Sequence, residues 1–331
     1  VRPISYSRAT DAAGAIAVVS ADPTTDYLAG GTTEIDLLRQ NVLTPRRLVD
    51  INELPLAGID DAPDGSLRIG ALTRMSEAAV SPLVRERFPV IAQALEMGAS
   101  PQLRNMASIG GNLLQRVRCS YYRDAVSPCN KREPGTGCSA IDGFSRGHAV
   151  LGTSEHCIAT HPSDLAVALA ALDARVHTRG QDGEQAYGID DFFLTPDHTP
   201  HREHPLQHGE LITTIEVPTA PVARRSMYLK VRDRESYEFA LVSVAGALSL
   251  VDGTIADVRL ALGGVGTKPW RAHRAEGVLL GASADRESFA SAARTEMSDA
   301  RPTTFNAFKV ELAQRAIVRV LETLKANGSP A

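Results

Sequence analysis

Residues 26–41 read DYLAGGTTEIDLLRQN: a short apolar strand that runs into Gly30-Gly31 and then a helix. A glycine pair at a strand-to-helix junction allows positive φ and brings the backbone close to whatever lies opposite. Such a turn offers its N–H groups, the helix N-terminal field and the Thr32 and Thr33 hydroxyls to an anion such as a pyrophosphate. Taken alone, it reads more simply as a plain turn, and a second glycine pair at 110–111 raises the case for a ligand. Around it the chain alternates. PISY (3–6) is a short extended start, TDAAGAIAVVS (10–20) a helix opened by Thr10 or Asp11, and RRLVDI (46–51) a further strand, which makes a βαβαβ rhythm.

A second segment runs from residue 56 to about 220. LRIGA reads as a strand. RFPVIAQALEMG reads as an amphipathic helix with Val90, Ile91, Ala94 and Met97 on its apolar face. ASIGGNLL reads as a strand broken by the second glycine pair. HPSDLAVALAALDARVHTRG reads as a helix capped by Ser163 or Asp164, followed by a strand, and GELITTIEVP closes the segment. The third segment starts near 224 with the strand RSMYLKVR. Two apolar strands follow, joined at Asp252-Gly253, a strong hairpin signal. The last helix places Phe305, Phe308, Leu312, Ala316, Val320 and Leu324 on one core-facing stripe. Strands followed by helices predict an α+β domain. The tail ANGSPA is expected to be loose.

At 331 residues the chain has room for two or three domains, and its 43% hydrophobic and 22% charged residues are ordinary for a globular protein. A formal net charge of −4 gives no reason to expect nucleic acid or an anionic membrane as partner. No apolar run approaches a membrane span. The start VRPISYSRAT has no apolar signal-peptide core; the protein is expected in the cytoplasm, or in the periplasm if a partner's signal exports a folded complex. There is no G-x-G-x-x-G after the first strand and no P-loop; GGVGTKP at 263–269 has Pro269 in place of the last glycine and reads as a turn.

All four cysteines, Cys119, Cys129, Cys138 and Cys157, fall within one 39-residue window. The intervening gaps of nine, eight and eighteen residues carry no C-x₂₋₄-C zinc knuckle. An iron–sulfur cluster, a zinc site, disulfides and four unrelated thiols all remain open on spacing alone. Arg116, Arg118, Arg123, Lys131 and Arg132 surround the first two cysteines against a single acid, Asp124. That charge favours an anionic four-thiolate cluster, although a solvated basic loop would look the same. Pro128, Pro134, Gly135 and Gly137 keep the stretch irregular, and a long irregular loop inside a domain is usually functional. His148, His156 and His161 lie nearby and read as structural or exposed; Trp270 and Arg271 read as packing and surface.

The segments LAGGTTEIDLLR, NMASIGGNLL, HPSDLAVALAALDA, GELITTIEVP, YLKVRDRESYEFALVSVAGAL and LALGGVGTKPWRA occur in that order along the chain. Together they resemble the FAD-binding medium subunit of the molybdenum hydroxylases, the xanthine dehydrogenase and aldehyde oxidoreductase family. The segment from RCSYYRDAVSPCNKR to EHCIATHPSDLAVAL is similar to the branch whose FAD subunit also carries a 4Fe-4S cluster, as in bacterial periplasmic aldehyde oxidoreductase. The resemblance spans nearly the whole chain and is most specific in the cysteine segment.

It implies an α+β protein: a vanillyl-alcohol-oxidase-type FAD module of two α/β subdomains, 1–55 and 56–222, with a 4Fe-4S insert at about 116–158. A C-terminal α+β domain of the CO-dehydrogenase flavoprotein type, 223–331, would follow. It implies FAD contacts at Leu28, Ala29, Gly30, Gly31, Thr32, Thr33, Glu34 and Ile35, and at Ser108, Ile109, Gly110, Gly111 and Asn112. Asp164 would touch FAD, although by residue type it reads as a helix cap. Ile215 and Lys230 would lie near the isoalloxazine ring, and the four cysteines would ligate the cluster. No catalytic residue for organic substrate is expected here. The implied partners are a large molybdopterin-binding subunit, a small 2Fe-2S subunit and an external electron acceptor (ferredoxin, quinone, NAD or oxygen). The implied role is an oxidoreductase subunit passing electrons from the partner's 2Fe-2S clusters through FAD to that acceptor. A stand-alone FAD-dependent oxidoreductase and a non-enzymatic zinc-binding scaffold are the competing readings.

Overall fold

A computed structural model describes residues 2–327. The expected loose tail falls largely on 328–331, outside the described residues. The N-terminal alternation folds as read. Ser5–Arg8, Arg47–Asp50 and Thr25–Leu28 form a parallel three-stranded sheet with Arg47–Asp50 in the centre. The intervening helices are Ala12–Ser20 and Glu34–Arg39. The Asp11 carboxylate caps the first by accepting from the Gly14 N–H at 2.7 Å, which decides between Thr10 and Asp11.

The second segment builds a five-stranded antiparallel sheet in the order Ile59–Asp61, Leu67–Gly70, Leu211–Val217, Arg175–Gly180, Gly183–Gly188. The helices Pro89–Met97 and Asp164–Ala171 cover it. Val90, Ile91 and Ala94 are fully buried and Met97 is partly buried, as their spacing requires. Pro89–Met97 also packs on Ser226–Val231 and Asp164–Ala171 on Val242–Val251 and Thr254–Gly263, so one core joins the second and third segments.

The third sheet is antiparallel, ordered Trp270–Arg271, Thr254–Gly263, Val242–Val251, Ser226–Val231. Asp252 and Gly253 both adopt positive φ, 51° and 78°, between the paired Val251 and Thr254, as a two-residue hairpin of this hand demands. The helix Phe308–Ala326 packs along the sheet through Ala313, Ala316, Ile317, Val320, Leu321 and Leu324. The expected stripe fails at its start: Phe305 and Phe308 are 47% and 37% exposed. Phe305 precedes the helix, and Lys309 takes the buried first-turn position.

Two further readings are corrected. Residues 108–112 are not a strand. Ile109–Leu113 is a short helix, because the Ser108 hydroxyl accepts from the Gly111 N–H and closes a first turn. Arg271 is not at the surface: it is 7% exposed and pairs with Glu276 at 2.6 Å and Asp173 at 2.9 Å. Trp270 does pack, with its indole N–H donating to Glu296 at 2.9 Å. Among the described residues no helix is long and apolar enough to cross a membrane.

Candidate functional site

The two glycine turns meet backbone to backbone. A Cβ on Gly30 would sit 2.0 Å from the Met106 carbonyl oxygen, so no other residue allows the segment before Ser108 to approach this closely. Gly31 follows at φ +69°. A polar strap fixes the approach. The Arg74 guanidinium donates to the Met106 carbonyl at 2.6 Å and to the Asn52 side chain at 2.8 Å. Asn52 in turn donates to the Ala29 carbonyl at 3.0 Å and to Asp50 at 2.7 Å.

A cleft of about 590 Å³ opens beside this junction, within the size range of small-molecule sites. Gly30, Gly31, Thr32, Thr33 and Ile35 line it from the first turn, Gly111 and Asn112 from the second, and Asp164 and Lys230 from the other two segments. A neighbouring cavity of about 320 Å³ touches the same glycines and is lined by Ala29, Glu34, Ser108 and Gly110. Eleven residues of the two turns therefore line these two adjoining cavities.

Three expected contacts do not converge there. Leu28 ends its strand opposite Asp50 and lines neither cavity. Ile109 is fully buried in the core. Ile215 is also fully buried, between Ile69 and Val176 in the middle of the five-stranded sheet. The residues of that strand that reach a cavity are Leu211 and Ile212. Side chains alternate across a sheet, and Ile215 falls on the face that packs into the core with Val217.

Asp164 is not the cap of its helix; the Ser163 hydroxyl accepts the Ala166 N–H at 2.9 Å and does that work. The Asp164 carboxylate is left to accept from the Lys230 ammonium at 2.8 Å and the Tyr228 hydroxyl at 2.8 Å. Tyr228 also bonds Ser243, and Lys230 donates to the Met97 carbonyl at 3.1 Å. The Lys230 side chain is 1% exposed. Burial pushes the Asp164 carboxyl above the ordinary carboxylate range, and Lys230 pulls it back. The result is a buried ion pair at the cleft wall, with the Lys230 ammonium fixed between Asp164 and the Met97 carbonyl.

Glu34 turns away from the first cleft. Burial, with Asp26 nearby, raises its carboxyl to about 7, and its Oε1 has no partner. Sequence reasoning missed Asn52, Arg74 and Met106, which build the strap, and Tyr237, Glu238 and Phe239, which line the cleft from the loop after Lys230. The signal for that loop was SYEF, two aromatics in an otherwise charged turn. Tyr237 and Phe239 are 57% and 45% exposed.

The four cysteines line one small cavity, and none is in a disulfide. Cys129 and Cys138 face each other across an isolated antiparallel bridge. Burial raises the thiols of Cys119 to about 12 and Cys157 to about 11, and that of Cys138 upward, with the neighbouring cysteines adding to each shift. Such thiols ionise only beside a compensating cation. Among the described residues no three of His, Cys, Asp and Glu converge tightly enough for a single metal ion.

The basic flank is not a solvated face. Arg116 pairs with Glu203 and lies 5.3 Å over the Tyr122 ring. Lys131 bonds Glu203 at 3.1 Å and the Pro200 carbonyl at 2.7 Å. Arg123 pairs with Asp36, and Arg132 donates to the Tyr121 and Tyr122 carbonyls at 2.8 Å each. These cations hold the excursion against the body. His148 and His161 are buried and have pKa values lowered to about 4 by desolvation, while His156 meets His198 at 3.1 Å.

Residues 2–220 match the family described as the FAD binding domain in molybdopterin dehydrogenase, and residues 227–324 match the CO dehydrogenase flavoprotein C-terminal domain. The chain belongs to the FAD-binding subunits of the molybdenum hydroxylase family and is an oxidoreductase subunit. It is similar to the aldehyde oxidoreductase FAD-binding subunit PaoB of Escherichia coli, 45% identical over 99% of this chain and 100% of that subunit. It is 30% identical to the glyceraldehyde dehydrogenase medium chain of Sulfolobus acidocaldarius, over 84% of this chain and 81% of that one. The fold matches the solved carbon monoxide dehydrogenase of Hydrogenophaga pseudoflava with a TM-score of 0.76 at 23% identity, covering 99% of both chains.

Proposed function

We propose that this chain is the FAD-carrying, electron-transfer subunit of a complex that oxidises aldehydes, with a large molybdopterin-binding subunit and a small 2Fe-2S subunit as partners. The observation that carries the reading is the convergence of both glycine turns and the Asp164–Lys230 pair on one cleft. Bound FAD would supply a centre that takes up electrons singly and releases them in pairs. The chain's residues would do the rest. Gly30 to Thr33 and Gly111 would bring backbone N–H groups and hydroxyls to the pyrophosphate. Lys230 would set positive charge near the ring, held in place by Asp164 and Tyr228. The aromatic loop at Tyr237 and Phe239 would screen the cleft from water.

The same reading gives the cysteine pocket a 4Fe-4S cluster. Four free cysteines lining one small cavity, in a loop with no zinc-knuckle spacing, support that reading. The external acceptor would be a ferredoxin, a quinone, NAD or oxygen. The test is coexpression with the two neighbouring subunits. The assembled complex should bleach its flavin absorbance on addition of an aldehyde, and this chain alone should not. Aldehyde oxidation by the isolated chain, or failure to copurify with either partner, would contradict the proposal.

A further inference from the structure

A buried side chain outside the four-cysteine cavity touches one of its sulfurs without being needed as a ligand. The His148 Nε2 lies 3.2 Å from the Cys119 Sγ. His148 is 6% exposed, and its other ring nitrogen, Nδ1, has no partner. The residue is placed with care: its main-chain N–H donates to the Ser145 carbonyl at 2.9 Å. The buried Asn306, from the start of the C-terminal helix region, donates to the carbonyls of His148 and Ala149 at 3.4 and 3.1 Å. A residue 158 positions away thus fixes the backbone that aims this ring.

We propose that His148 is a positioning residue for the cluster assigned above, donating Nε2–H to the Cys119 sulfur and raising the cluster's reduction potential. The inference rests on the cluster reading. A thiolate bound to iron has lone pairs and no hydrogen, so it can only accept. The hydrogen between the two atoms therefore belongs to Nε2. An N–H aimed at a cluster sulfur stabilises the reduced form, which carries one more negative charge, more than the oxidised form. The four thiols already complete the ligand set, so the imidazole acts through Cys119 and not on iron.

The experiment uses the assembled complex purified anaerobically, with wild type, His148→Leu and His148→Gln. Iron and acid-labile sulfide are counted first, and the cluster is then titrated by EPR-monitored reduction. Wild type without iron and sulfide would overturn the cluster reading itself, and that outcome is visible before any variant is made. With the cluster present, His148→Leu should keep its iron and become harder to reduce. The reduced-to-oxidised ratio at the wild-type midpoint should fall about tenfold, or about 59 mV for a one-electron couple. His148→Gln, which restores an N–H donor, should recover part of the shift, and the flavin titration should not move. A purely structural role would lower iron content in both variants and leave the potential alone. If His148→Leu does not assemble, Asn306→Ala should produce a smaller shift of the same sign. An unchanged potential in a fully loaded His148→Leu complex, or in Asn306→Ala where Leu fails, would overturn the proposal.

Discussion

The glycine cleft and the cysteine excursion lie in adjoining parts of one chain and are held by different means. The cleft depends on backbone meeting backbone: Gly30 against the Met106 carbonyl, with Arg74 and Asn52 strapping the approach. The excursion has only two single-turn helices, Ser120–Arg123 and Ser139–Asp142. Its loops are closed by side chains on carbonyls and N–H groups. Asn130 accepts from Gly135 and Gly137 at 3.1 and 2.8 Å, Arg132 donates to two carbonyls, and Lys131 and Arg116 tie down to Glu203. A site built from main-chain approach tolerates almost no change at the contact. A site built from side-chain ties and buried thiols should depend more on what those thiols hold.

The largest effect is expected at the contact itself. Gly30→Ala forces a Cβ into the Met106 carbonyl, and the two turns must part. We expect loss of bound flavin and about 5 kcal/mol of stability, measured by flavin content and denaturant unfolding. Full flavin occupancy in this variant would break the backbone account of the cleft.

Next is the buried ion pair. Asp164→Ala leaves the Lys230 ammonium without its carboxylate in a site 1% exposed. We expect about 3 kcal/mol of destabilisation and weakened flavin binding from Asp164→Ala or Lys230→Met alone, and less from the double variant than from the sum of the two. Additive losses would contradict the unpaired-charge explanation.

A third prediction concerns pH. Glu34 ionises near 7 in the folded chain against an ordinary 4.5, so between those values the folded state holds the extra proton. Its contribution to stability therefore falls as pH rises from about 4.5 to 7 and is level above. In flavin-free protein, Glu34→Gln should match wild type near pH 4.5 and exceed it by about 2 kcal/mol at pH 8. A constant difference across that range would remove Glu34 as the cause.

The smallest effect on the cleft is expected from the excursion. Cys129→Ala should lose iron while flavin affinity changes by no more than about threefold, because no cysteine lines the flavin cleft. Parallel loss of both cofactors would mean that the two regions are one cooperative unit.

Much of this was legible in the sequence where a residue type has one physical use. Gly30-Gly31 after a strand, Asp252-Gly253 between strands, and apolar spacing over Pro89–Met97 all led to the observed structure. The glycine turns and Asp164–Lys230 were placed through resemblance, and the cleft brings them together. What failed depended on tertiary context. Ile215 looks the same whether its side chain faces the core or the cleft, and only the residues packed around it decide. Ser163 and Asp164 are both good caps, and only the Lys230 partner shows which is free. The basic flank read as charge for a cluster or as a solvated loop, and its partners Asp36 and Glu203 were hidden because they lie far away in sequence. Met106 is unremarkable by type, and its carbonyl matters only because Gly30 arrives beneath it.

The central claim is that one chain holds both a flavin and an iron–sulfur cube at these two places. Its most direct test is cofactor analysis of the anaerobically purified chain by visible spectrum, flavin extraction, and iron, sulfide and zinc assay. The account predicts about one FAD, four irons and four labile sulfides per chain, with negligible zinc. A folded, colourless chain that takes up no added FAD, or one equivalent of zinc without sulfide, would contradict it.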